Sequence, residues 1–191
     1  PSVITSLKEQ GASINVWGVG THLITAYEQP ALEGVYKLSA IMSAQGEWEN
    51  KLKLSEQTIK ISTPGILSAR RYYADKVNGS AMADAIYDDR LGILEDNITI
   101  IDPIDPTKRR SIPAATPHHD LLTPIFRLGK LVYKVPSLKS SQEKTHLELE
   151  QFHESIRRLL NPHAYPVGLE ENLYNSKLAL ILKAKSSNIV K

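Results

Sequence analysis

Near the amino terminus, the run Gly18-Val19-Gly20-Thr21-His22 has the residue types and spacing for anion chemistry. It follows a short stretch, residues 13–17, in which Ile14 and Val16 are apolar and which Gly11 precedes. That stretch reads as a buried strand, and the glycines after it as a turn freed from side-chain bulk. A loop at the carboxyl end of a strand can aim successive backbone N–H groups at one anion, and a threonine hydroxyl adds another donor. Gly18, Val19, Gly20 and Thr21 are therefore the candidate phosphate-binding residues, with His22 as an accessory neighbour. Gly-x-Gly after a strand is common by itself, so the assignment depends on what surrounds it.

Other polar clusters carry less. His146, Glu150 and His153 share a narrow strip beside the apolar face of a helix, but a fourth ligand and the HExxH order are absent, so the strip reads as a solvated boundary. In His118-His119-Asp120 adjacent strand residues point to opposite faces, which is awkward for a shared metal. Asp84, Asp88 and Asp89 read as hairpin-edge charges rather than a magnesium site. Arg70-Arg71 and Lys108-Arg109-Arg110 could grip phosphates at a subunit interface, and otherwise read as solvated loops. No metal ligand and no catalytic residue is assigned.

The elements that position the glycine loop come from periodicity. Residues 2–10 form a helix stopped by Gly11, so helix and strand make one αβ step of a larger repeat. One step cannot close a barrel, and the chain reads as the carboxyl-terminal piece of something longer. Residues 35–42 alternate as a half-buried strand, residues 46–56 are a turn and an irregular segment, and Ile59 and Ile61 mark a short strand ended by Pro64-Gly65. Residues 69–74 and 81–87 flank Asn78-Gly79 as a hairpin. A strand at residues 97–101 leads into a four-proline surface loop, residues 102–117. A second hairpin turns at Leu128-Gly129-Lys130. Ser140 and Glu143 have capping-box spacing for a helix whose face carries Leu149, Phe152, Ile156, Leu159 and Leu160 and which Asn161-Pro162 ends. A last helix spans residues 169–183 with Leu173, Leu180 and Ile181 inward, and the tail past Ser186 frays. The fold class is thus mixed α+β and α/β. Residues 1–34 carry the αβ step and glycine loop, and residues 35–191 form a mixed, largely antiparallel sheet domain with two carboxyl-terminal helices.

Composition bounds the function. The chain has 191 residues and a net charge of +2, too small to imply a nucleic-acid partner. It has no cysteine, which excludes disulfides and thiolate metal sites and is compatible with a reducing cytoplasm. No apolar run approaches the roughly 18 residues of a membrane span.

The longer context of the loop is specific. Residues 17–38, from Trp17-Gly18-Val19-Gly20-Thr21 through Gln29-Pro30-Ala31-Leu32-Glu33-Gly34-Val35-Tyr36-Lys37-Leu38, closely resemble a segment of nicotinate phosphoribosyltransferases, with Glu33 where that family more often has glycine. Pro124-Ile125-Phe126-Arg127-Leu128-Gly129-Lys130 is similar to a hairpin of the same family, Leu128 replacing its usual polar turn residue, and Asn161-Pro162-His163-Ala164-Tyr165-Pro166-Val167 to its closing segment. The resemblance implies the last αβ step of a type II phosphoribosyltransferase α/β barrel followed by a mixed domain, commonly in a homodimer. It implies an enzyme of NAD salvage joining nicotinate to phosphoribosyl pyrophosphate, with ATP and magnesium as co-substrates, no tightly bound cofactor and a cytoplasmic location. It implies that Gly18, Val19, Gly20 and Thr21 hold the 5′-phosphate of the phosphoribosyl group. The family's phosphorylatable histidine and most substrate groups lie upstream, so the 191 residues alone are expected to be inactive. Two other readings stay open: a sister enzyme for nicotinamide or another pyridine, and a non-catalytic dimerisation module.

Overall fold

In the computed structural model, which describes residues 2–31, 34–74, 79–93 and 96–188, the chain opens with helix α1 (Ser2–Glu9) and the single turn α2 (Thr21–Ile24). Gly11, at φ +82°, ends the first helix as expected. The strand expected at residues 13–17 does not form. A strand is held by the ladder of a neighbour, none of the described strands pairs with this stretch, and Ile14 and Val16 stay exposed. The substituted Glu33 and the Asn78 of the first expected turn lie outside the described residues, as does the tail from residue 189; helix persists to Asn188, past the expected fraying point.

A two-stranded hairpin follows, β1 (Ala40–Met42) against β2 (Trp48–Asn50), closed at Gly46 with φ +83°. The strand expected over residues 35–42 is thus cut to its last three residues, and part of the expected irregular segment supplies the partner strand. The expected strand around Ile59 is instead a 3-10 turn, Thr58–Lys60. The Ser39 carbonyl accepts from both Lys51 N and Gly65 N, at 2.8 and 3.0 Å, which ties the hairpin to what comes next.

The rest is one six-stranded sheet. Its strands are β3 (Leu67–Tyr73), β4 (Ala81–Asp88), β5 (Ile98–Ile101), β6 (Arg109–Ile112), β7 (His118–Asp120) and β10 (Val167–Glu170), in the order β6-β5-β10-β4-β3-β7. Only β10 and β4 run parallel; every other pair is antiparallel, as expected of the domain. One core cluster has Ala83 and Ala85, fully buried, with Tyr72, Ile98, Ile100 and Ile112 closing over them; Ile101, Leu169 and Leu173 are buried as well. Strand β6 corrects the expectation of a surface loop, because Arg109 and Arg110 sit opposite Ile101 and Ile100 in a ladder.

Between β7 and β10 lie the small hairpin β8 (Phe126–Arg127) and β9 (Lys130–Leu131), then helices α3 (Leu138–Glu150) and α4 (Glu154–Arg157). Leu128 and Gly129 both have positive φ, a type I′ turn, as the second hairpin requires. The expected single helix is broken at Gln151, whose carbonyl accepts from Ala81 N at 2.7 Å. Its cap is Ser137, whose hydroxyl accepts from Ser140 N, rather than Ser140. The last helix, α5 (Glu171–Asn188), starts two residues later than expected because Leu169 and Glu170 belong to β10. The Glu170 carboxylate accepts from Asn172 N and Leu173 N at 3.0 and 3.1 Å and so caps α5.

Lys177 on α5 is buried, and its ammonium donates to the Ile61 carbonyl (3.4 Å) and Thr63 Oγ1 (3.1 Å), both neutral. Burial pushes its pKa below the ordinary lysine value. Because the unfolded chain then binds the extra proton, stability should rise with pH between the depressed pKa and about 10.4. The slope from this group is at most about 1.4 kcal/mol per pH unit. Urea unfolding from pH 7 to 10 is expected to show that rise in the wild type, and Lys177→Met to flatten it.

Candidate functional site

The glycine loop is open. Residues 18–21 are exposed, and among the described residues no hydrogen bond occupies the N–H of Gly18, Val19, Gly20 or Thr21. Their carbonyls are used: Gly20 O accepts from Leu23 N (3.1 Å), and Thr21 O from Thr25 N (2.9 Å) and Thr25 Oγ1 (2.7 Å), which wind α2. A Cβ added at Gly18 or Gly20 would meet nothing within 4 Å, and neither glycine has positive φ. Lys8 Nζ donates to the Ile14 carbonyl and lies 5.9 Å from the Trp17 ring centroid, holding the entry to the loop against α1. His22 stacks on Tyr27, with centroids 4.3 Å apart and planes at 10°, which fixes its ring beside the loop.

A second, tighter cluster lies on the sheet, and it corrects the expectations for Arg71 and for Asp84, which is buried rather than at an edge. Arg71 Nε and Nη2 donate to the two Asp84 oxygens at 2.9 Å each, with both side chains about 13% and 12% exposed. Tyr165 Oη donates to Asp84 Oδ1 at 2.8 Å. The guanidinium carbon lies 4.8 Å from the Phe152 centroid and 5.9 Å from that of Tyr165, and those two rings meet edge to face at 4.9 Å. Arg71 is therefore a stacked, bidentate ion-pair partner rather than part of a solvated loop. The Asp84 hydrogen bond raises its already high pKa against burial, and burial together with the Asp84 carboxylate pushes the Tyr165 phenol up.

On the opposite face Arg70 pairs with Asp120 at 2.7 and 3.3 Å, and the Arg70 hydrogen bond holds that carboxyl below its usual range. Asp88, expected at an edge, is buried; burial raises its pKa, but hydrogen bonds from the Arg90 side chain and backbone outweigh this. Lys108, Arg109 and Arg110 have Asp105, Glu171 and the Met82 carbonyl as partners, with the Lys108 and Arg109 side chains still exposed. His146, Glu150 and Phe152 line an open groove of about 470 Å³, to which His153 does not contribute. Among the described residues no group of three His, Asp or Glu side chains is arranged to hold a metal, and no helix is long and apolar enough to cross a membrane.

The sheet and the loop thus differ in kind: one is a finished, internally paired structure, the other a set of free donors. The fold is a mixed α/β sheet domain, similar to part of the crystal structure of human nicotinic acid phosphoribosyltransferase. That similarity has a TM-score of 0.53 at 24% identity, over 63% of this chain and 24% of that one, and is a likeness of fold. Residues 68–177, from β3 into α5, match the nicotinate phosphoribosyltransferase C-terminal domain, and the chain belongs to that family. The nicotinate phosphoribosyltransferase of Bacillus subtilis is 35% identical over 187 residues, 96% of this chain and 37% of the relative. That of Caenorhabditis elegans is 34% identical over 180 residues, covering 90% and 30%. The chain spans about a third of the length of these relatives.

Sequence reasoning missed the Arg71, Asp84, Tyr165 and Phe152 cluster. The available signal was the spacing of Arg71 and Asp84 on either side of a hairpin, which brings opposite charges near one another. Asp84→Ala leaves a largely buried guanidinium unpaired and is expected to cost about 3–5 kcal/mol. Tyr165→Phe removes one hydrogen bond and should cost about 1 kcal/mol or somewhat more. Urea unfolding of both variants and of the double variant checks this, with coupling between the two sites expected because they share Asp84.

Proposed function

We infer that this chain is the carboxyl-terminal part of a nicotinate phosphoribosyltransferase, an enzyme that makes nicotinate mononucleotide and pyrophosphate from nicotinate and phosphoribosyl pyrophosphate with ATP hydrolysis. Residues 1–34 are the end of its α/β barrel and carry the phosphate loop, and residues 35–191 are its mixed sheet domain. The complete enzyme works as a cytoplasmic homodimer with ATP and magnesium as co-substrates.

The observation that carries the reading is the loop itself. Four consecutive amides, of the exposed residues Gly18, Val19, Gly20 and Thr21, have no acceptor among the described residues. Neither Gly18 nor Gly20 is demanded by its own φ or by a close neighbour. Glycine there serves what approaches from outside, and a doubly charged phosphate suits a row of amide dipoles. Its chemical contribution is remote binding energy. Fixing the 5′-phosphate holds the far end of the ribose so that the anomeric carbon, where positive charge grows as pyrophosphate leaves, is oriented for attack. The reacting groups belong to the barrel, and the 191-residue chain alone turns nothing over.

Titration of the nitrogen-15-labelled chain with inorganic phosphate at constant ionic strength is expected to move the amide signals of Gly18, Val19, Gly20 and Thr21 in the millimolar range. Gly20→Val, which places a β-branched side chain in the anion's path, is expected to weaken that response at least tenfold. Chloride-like behaviour of phosphate at these amides would overturn the loop assignment. Nicotinate mononucleotide formed by the chain alone would overturn its inactivity.

A further inference from the structure

Tyr73, His119 and Gln151 form a hydrogen-bond chain that neither the phosphate loop nor the Arg71 cluster uses. Tyr73 Oη lies 2.9 Å from His119 Nδ1 and 3.1 Å from Gln151 Oε1. The Tyr73 and His119 rings stack, with centroids 5.3 Å apart and planes at 21°. Three elements meet at this point: β3, the edge strand β7 and the end of α3.

A phenol has one proton to donate. When the imidazole carries its proton on Nδ1, that N–H donates to the Tyr73 oxygen and the phenol donates to Gln151 Oε1. When the proton is on Nε2, Nδ1 is an acceptor and the phenol turns to it. Gln151 then satisfies the phenol oxygen by rotating its amide and donating from Nε2. Both arrangements pair the phenol on both sides, and they run in opposite directions. Protonation removes the choice, because an imidazolium donates from both nitrogens and only the first direction survives.

We propose that this chain is a proton-set switch, in which the charge on His119 fixes, through Tyr73, which way the Gln151 amide faces at the end of α3. Gln151 is placed to matter structurally, since its carbonyl accepts from Ala81 N and joins the helix break to the start of β4. The charged groups around the switch are largely committed elsewhere. Arg71 on β3 and Asp84 on β4 are paired with each other and both act electrostatically on Tyr73 with opposite sign, and Tyr165 donates to Asp84. Glu148, one turn before Gln151 on α3, acts electrostatically on Tyr73 but is itself paired with Lys144. Within β7, Asp120 is held by Arg70, and His118 bonds the Thr116 carbonyl and packs on Tyr72 instead.

The test follows the His119 ring nitrogens and the Gln151 side-chain amide by nitrogen-15 NMR from pH 5 to 8, the range in which histidine changes charge. The expected result is a Gln151 amide shift that tracks the His119 titration with the same midpoint. In Tyr73→Phe, which keeps the ring and removes the hydroxyl, that shift should be lost while His119 still titrates. In Gln151→Glu, whose carboxylate only accepts, His119 should hold its proton on Nδ1 at pH 8. A Gln151 amide that is flat across the wild-type titration, or that still follows His119 in Tyr73→Phe, would overturn the proposal, as would an Nε2 proton in Gln151→Glu at pH 8.

Discussion

The bidentate pair between Arg71 and Asp84 is the constraint on which the sheet depends. It joins β3 to β4 across their register, where the two residues stand directly opposite one another. Such a pair, taken largely out of water, is stable only if its geometry is good and its remaining valences are met. Tyr165 meets one by donating to Asp84, and Phe152 covers the guanidinium face. Those two residues belong to the helix break after α3, which the Gln151 carbonyl also ties to Ala81 N, and to the stretch leading into β10, where Pro166 O accepts from Asp84 N. The ion pair therefore helps to hold the α3 break and β10, which lies between β4 and β5. There Gly168 passes so close to Ile101 that an added Cβ would lie 2.9 Å from its backbone N and O.

Part of the strand pattern was legible in the sequence because turn residues bound it: Asn78-Gly79 between β3 and β4, and Asp102-Pro103 after β5. The β3 and β4 run, β5, and the positive-φ turn at Leu128 and Gly129 all announce themselves locally. The register was harder to read. A two-residue turn centred on Asn78-Gly79 would set Arg71 opposite Ile86, whereas the observed register, with an irregularity between Tyr72 and Tyr73, sets it opposite Asp84. Strand β10 is four residues long, contains a glycine and runs straight into a helix, so nothing in its own sequence separates it from the helix that follows. Strand β6 is hidden among prolines and takes its conformation from β5. In each case a long-range partner overrode a local signal.

The loop reverses that relation. Its sequence is highly specific, yet its surroundings among the described residues are sparse: α1 steadies the entry through Lys8 and Trp17, and α2 winds on the loop carbonyls while leaving the amides unused. The strand expected before it stays unpaired because no described strand lies alongside. The residues that spell out the family most clearly are thus sparsely partnered among the described residues, while the family match itself falls on the sheet.

One molecule combines a sheet whose buried side-chain polar atoms all have partners with a loop whose amides have none among the described residues. Residue-resolved amide hydrogen exchange in anion-free buffer measures both at once. The account predicts that Gly18, Val19, Gly20 and Thr21 exchange at nearly the rates of an unstructured peptide, while Ala83, Ala85 and Leu169 exchange only on global unfolding. Strong protection of the four loop amides without added anion would contradict it.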